Sequence, residues 1–155
     1  AVVVPFPNAV DRSVRLTGSG GSGATLCLPV GSRPWTFASV ELHTRSWVGT
    51  GVWLRMADEV RGVLVDAEGR FIAEPGGRWI TEAPAEPDQW HRVEFVREGD
   101  ERFSVTIVPL PERGNRGGVP LPPTSEVGER GEVALCIGPP SGPAAVVYVD
   151  NIVVE

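Results

Sequence analysis

Between Trp90 and Val108 the chain alternates apolar and polar residues along two runs, separated by Glu98-Gly99-Asp100-Glu101. Successive side chains of a strand point to opposite faces, so each run has one face suited to a core and one suited to water. A loop of about four residues between two such runs makes a β-hairpin. The same pattern predicts strands near 2–4, 13–17, 24–29, 36–46, 48–56, 60–66, 70–73, 78–82, 90–97, 102–109, 132–137 and 145–154. Turn chemistry separates them, at residues 18–23, 66–69, 75–77 and 98–101. No window sustains the apolar spacing of a helix. Many short strands with frequent turns imply an all-β fold: an antiparallel two-sheet β-sandwich of the jelly-roll type. At 155 residues the chain fits a single domain, 1–155, with a sizeable core. Both chain ends read as strands and are expected to pair within one sheet. The longest irregular stretch runs from Pro109 to Arg130, and its five prolines exclude a central strand there. A loop that long is either functional or a crossover between sheets.

Composition narrows the function classes. The chain is 41% hydrophobic and 22% charged, as expected of a globular protein. Its formal net charge is −6, and its 14 basic residues are all Arg. Without a basic run it is a poor match for nucleic acid or an anionic membrane. Without lysine it has no Schiff-base chemistry on that side chain. No stretch has the roughly 20 apolar residues of a membrane span. The start, Ala1-Val2-Val3-Val4-Pro5, shows no signal-peptide pattern and fits a mature secreted product or a domain cut from a longer protein. Cys27 and Cys136 each sit in a short apolar run. Two buried thiols and one disulfide both fit that placement, and neither fits a zinc site.

Along 48–56 the alternation puts Val48, Thr50, Val52, Leu54 and Met56 on one face, expected to be core. Trp47, Trp53 and Arg55 fall on the other, with Gly49 and Gly51 beside them. Along 40–45, Glu41, His43 and Arg45 oppose Val40 and Leu42. If these two strands are neighbours, Glu41, His43, Arg45, Trp47, Trp53 and Arg55 line one sheet face. Sugars stack their C–H faces on aromatic rings and take hydrogen bonds from planar charged groups, which suits such a set. Packing under a loop, with cross-strand ion pairs, is the alternative. Trp79, after Pro75-Gly76-Gly77, is a candidate rim platform, with a lid over the core as the alternative. Trp90 is expected as a core anchor, with His91 on the opposite face beside Val93 and Phe95.

Several stretches resemble the concanavalin A-like lectin/glucanase superfamily, including laminin-G-like domains and carbohydrate-binding modules. They are 87–96, the hairpin that follows, 65–72, 13–18 and the ending 146–155. The resemblance implies a non-catalytic, lectin-like module of a secreted or surface protein that binds polysaccharide or glycan. It also implies a parent multidomain enzyme, with homo-oligomers left open. Related modules carry a structural calcium near the chain ends. Asp150 matches the aspartate of that ending, and Asn8 or Asp11 are the weaker N-terminal contributors. A turn or bulge aspartate is the alternative for Asp150, since calcium wants six to eight oxygens.

Enzymes of the same superfamily fit less well. A retaining glucanase needs paired carboxylates about 5–5.5 Å apart. The nearest match, 64–68, has Leu64 where the first Glu is needed, and Gly69 marks a turn. A polysaccharide lyase needs Arg, His or Gln and Tyr together, and the only tyrosine, Tyr148, is expected outside the site. The glycine-rich 18–23 lacks the spacing of a nucleophile elbow. A reading of another class is an assembly subunit of a surface layer, filament or particle. In it Val2-Val3-Val4-Pro5 would add to a neighbour's sheet, where otherwise it is this domain's own first strand.

Overall fold

The computed structural model describes residues 2–5, 12–17, 25–31, 36–44, 51–56, 59–66, 68–80, 89–98, 102–110, 119–120, 133–138 and 146–155. Every regular element among them is a strand. In chain order these are β1 (Val2–Pro5), β2 (Arg12–Thr17), β3 (Leu26–Gly31), β4 (Phe37–Thr44), β5 (Gly51–Met56), β6 (Glu59–Val65) and β7 (Phe71–Glu74). They continue as β8 (Arg78–Trp79), β9 (Trp90–Arg97), β10 (Phe103–Pro109), β11 (Val119–Pro120), β12 (Val133–Gly138) and β13 (Val146–Val154). One sheet has seven strands in the order β1-β2-β13-β4-β9-β10-β11, the other six in the order β3-β12-β5-β6-β7-β8. All pairings are antiparallel. The all-β sandwich expected from the alternation is therefore present, and β11 sits at a sheet edge, where its proline removes no central hydrogen bond.

Period-2 alternation builds the core from both sheets. Val40 and Leu42 of β4, Val93 and Phe95 of β9 and Phe103 and Val105 of β10 face inward from the seven-stranded sheet. Val52 and Leu54 of β5, Val63 and Val65 of β6, Phe71 of β7 and Leu135 and Ile137 of β12 meet them from the other sheet. Each fully buried aliphatic or aromatic side chain contributes roughly 1.5–3 kcal/mol relative to exposure.

The turns follow local chemistry. Gly69, at φ 82°, closes the β6–β7 turn by donating its N–H to the Asp66 carbonyl. The Glu98 N–H donates to the Arg102 carbonyl across the β9–β10 loop.

Three expectations need correction. β4 and β5 belong to different sheets. Alternation specifies which face of a strand is buried but not its lateral partner, and β4 pairs with β9 and β13 while β5 pairs with β6 and β12. Trp90 is no core anchor: its strand buries His91, Val93 and Phe95, so period 2 turns Trp90 to the outer face of the seven-stranded sheet. The two terminal strands share that sheet, yet β2 lies between them. β1 pairs with the chain's own β2.

Candidate ligand-binding groove

The outer face of the six-stranded sheet carries the most distinctive surface. In register across the strands, one row runs Cys27, Cys136, Trp53, Gly62, Glu74. The next runs Gly138, Gly51, Leu64, Ile72, Trp79. A third places Ala134, Arg55 and Val60 together. Val52 and Leu54 face the core, which forces Trp53 and Arg55 outward, as the alternation predicts.

Two glycines make room for Trp53. A Cβ added at Gly51 would lie 2.8 Å from Trp53 Cζ3 and 3.0 Å from Cε3, so the ring lies across the bare backbone of that residue. A Cβ at Gly62 would collide with Trp53 Cβ, Trp53 Cα and the Val52 carbonyl. The half-buried indole borders a groove of about 380 Å³, lined also by Thr25, Val60, Leu64 and Glu74. A flat aromatic wall over a side-chain-free floor, with a carboxylate at its margin, can stack an apolar ring face and accept hydrogen bonds at its rim.

On the other side of Trp53 lies a disulfide. Cys27 and Cys136 are directly opposed on β3 and β12 and are bonded. This decides between the two arrangements that their sequence positions allowed. Cys136 is buried, whereas Cys27 is exposed.

Trp79 is 56% exposed at the far end of the glycine row. The Arg70 guanidinium carbon sits 4.3 Å from its ring centroid. Arg70 is held in turn by Asp66, through Nε to Oδ2 at 3.0 Å, and by Glu68, through Nη2 to Oε2 at 3.0 Å. Asp66 Oδ1 also accepts the Glu68 and Arg70 backbone N–H groups, both at 2.9 Å. Desolvation pushes the Asp66 carboxyl up, but the bonds from Arg70 and Glu68 outweigh it and hold it below its ordinary value of 3.8. Asp66 and Glu68 thus position an arginine over an indole, in the turn that Gly69 marked.

Glu41 and His43 lie on the outer face of the opposite sheet, away from Trp53. Glu41 is engaged: Oε1 accepts Arg92 Nε at 3.0 Å and Nη2 at 2.8 Å, and Oε2 accepts Asn151 Nδ2 at 2.7 Å. His43 is 7% exposed and meets Trp90 and Tyr148 edge-on, at centroid separations of 5.4 and 6.2 Å. Tyr148 is the register partner of both His43 and Arg15, so the expectation that it stands apart from the histidine is wrong. A distant position in sequence hid a directly adjacent position in the sheet. His43 and Tyr148 are only 7% and 6% exposed, so neither of these two rings offers a polymer a stacking face, while Trp90 is half-buried. Arg45 and Trp47 lie outside the described residues, as do Asn8 and Asp11.

Asp150 sits at a bulge in β13, where Oδ1 accepts the Asn151 N–H at 2.8 Å and Asn151 adopts φ 45°. Among the described residues no group of three His, Cys, Asp or Glu side chains is placed to hold a metal ion. Among them, too, no helix is long and apolar enough to cross a membrane.

No family model matches this chain, and no curated protein matches it in sequence. Solved structures do match its fold. A functionally unknown protein from Saccharomyces cerevisiae superposes with a TM-score of 0.60 at 10% identity, over 99% of this chain and 95% of that one. The GH131 β-glucanase catalytic domain from Podospora anserina gives 0.57 at 10% identity, over 93% of this chain and 71% of that one. Galectin LEC-6 from Caenorhabditis elegans gives 0.53 at 17% identity, over 87% and 96%. The architecture is a jelly-roll sandwich, consistent with the concanavalin A-like fold. At these identities the likeness is one of fold alone.

Proposed function

We propose that this chain is a glycan-binding module of a secreted or surface protein, taking carbohydrate in the Trp53 groove without cleaving it. The observation that carries this reading is the Trp53 indole lying over glycine backbone, in a groove margined by Glu74. A galectin and a β-glucanase among the fold's neighbours agree with a sugar ligand. The Cys27–Cys136 disulfide supports an oxidising compartment. The groove lining supports binding without cleavage. Among the described residues it presents one carboxylate, Glu74, whereas glycoside hydrolysis ordinarily uses a pair.

The test is binding to a broad panel of soluble polysaccharides and glycans, with Trp53→Ala and Glu74→Gln beside the wild type. Each protein is checked for a native melting transition, and binding is repeated with calcium and with a chelator. Wild-type binding is expected to vanish in Trp53→Ala and to weaken about tenfold in Glu74→Gln, the loss of one charge-assisted hydrogen bond. No binding by the wild type to any glycan would sink the reading. Release of reducing ends would replace it with a catalytic one.

A further inference from the structure

Resting on that glycan-binding reading, we propose that the ligand is an extended chain of pyranose units, laid across β5, β6, β7 and β8 and gripped at two aromatic platforms, Trp53 and Trp79. Because the Trp53 ring lies over Gly51, it joins the row that continues through Leu64 and Ile72 to Trp79. That row is a straight apolar lane perpendicular to the strands, with an indole at each end and partly exposed aliphatic side chains between. Its ends are three inter-strand spacings apart, roughly 14 Å. A monosaccharide cannot touch both; a short linear oligosaccharide can.

The flanks suit the same ligand. One row to one side lies Glu74, beside Gly62. To the other lies the Asp66, Glu68 and Arg70 cluster that follows β6 and precedes Ile72. A pyranose chain presents apolar C–H faces to what lies under it and hydroxyls along its edges. An apolar lane between polar margins answers both. Arg70 lies over one face of Trp79 and is itself clamped by Asp66 and Glu68, and the indole remains 56% exposed. A platform held in place before binding loses less conformational freedom when a ligand arrives.

The experiment is calorimetric titration with two ladders, β-1,3-linked and β-1,4-linked gluco-oligosaccharides, each from the monosaccharide to the hexasaccharide. Once the chain reaches the second ring, affinity is expected to rise by about tenfold or more and then level off, as a linked second contact does. Trp79→Ala should remove that gain and leave the affinity of the disaccharide unchanged, while Trp79→Phe keeps part of it. An affinity independent of length, or a full gain retained in Trp79→Ala, overturns the proposal. Failure of both ladders where the wider glycan panel binds overturns it alone. Failure of every glycan overturns it together with the reading beneath it.

Discussion

Asp66 shows how one carboxylate can organise a surface. It accepts two backbone N–H groups and the Arg70 guanidinium, and through Arg70 it sets the position of Trp79. Its folded-state pKa lies below 3.8. A depressed carboxylate stabilises the fold at every pH above its unfolded value, and loses that contribution as the pH falls through the folded one. Asp66→Asn is therefore expected to be less stable than the wild type at neutral pH. The difference should hold constant down to about 3.8 and shrink below it. Denaturant melts across the acid range read this directly; a gap that persists unchanged in acid would mean that the carboxylate's charge is not the cause.

At the level of elements, the β5–β6 pair depends on Gly62. Its Cα–H is packed against the backbone of Trp53 and Val52, so even a methyl group has nowhere to go. Gly62→Ala should cost about 1–3 kcal/mol or more, as overpacking does. It should also shift the Trp53 fluorescence, while an alanine at Gly76, where a Cβ would meet nothing within 4 Å, leaves that emission unchanged. An unaltered Trp53 environment in Gly62→Ala would show that β5 and β6 can separate to admit it. The inward and outward sides of β5 were legible because alternation is local: Val52 and Leu54 go in, Trp53 and Arg55 go out. The lateral neighbours were not. Which strand lies beside β5 depends on residues about 80 positions away in β12 as well as on adjacent β6. Hence alternation alone groups Trp53 with Glu41 and His43 on one face, although two sheets divide them. The glycine floor carried a visible signal at Gly51 and a silent one at Gly62, whose closeness to Trp53 exists only across the strand pair.

For the whole molecule, the disulfide closes a loop across 109 positions of sequence separation. Such a bond contributes roughly 4–5 kcal/mol in the chain-entropy model. Cys27→Ser with Cys136→Ser is expected to lower Tm by on the order of 10 °C. Because Cys136 is Trp53's register partner, the same change should perturb that indole's emission. A variant that melts like the wild type would leave the two sheets as the sole source of stability.

The position of β13 between β2 and β4 constrains how the chain can be made. During translation the strand that joins both halves of the seven-stranded sheet is the last described strand to leave the ribosome. Until Val146–Val154 has emerged, β1 and β2 lack their link to the sheet, and β4 presents an unpaired edge. A nascent chain without β13 is therefore one strand short of closing this sheet. Exposed strand edges are templates for pairing with other chains, so nascent or truncated products that lack Val146–Val154 should be the forms that engage chaperones, while a chain that includes β13 closes its own sheet.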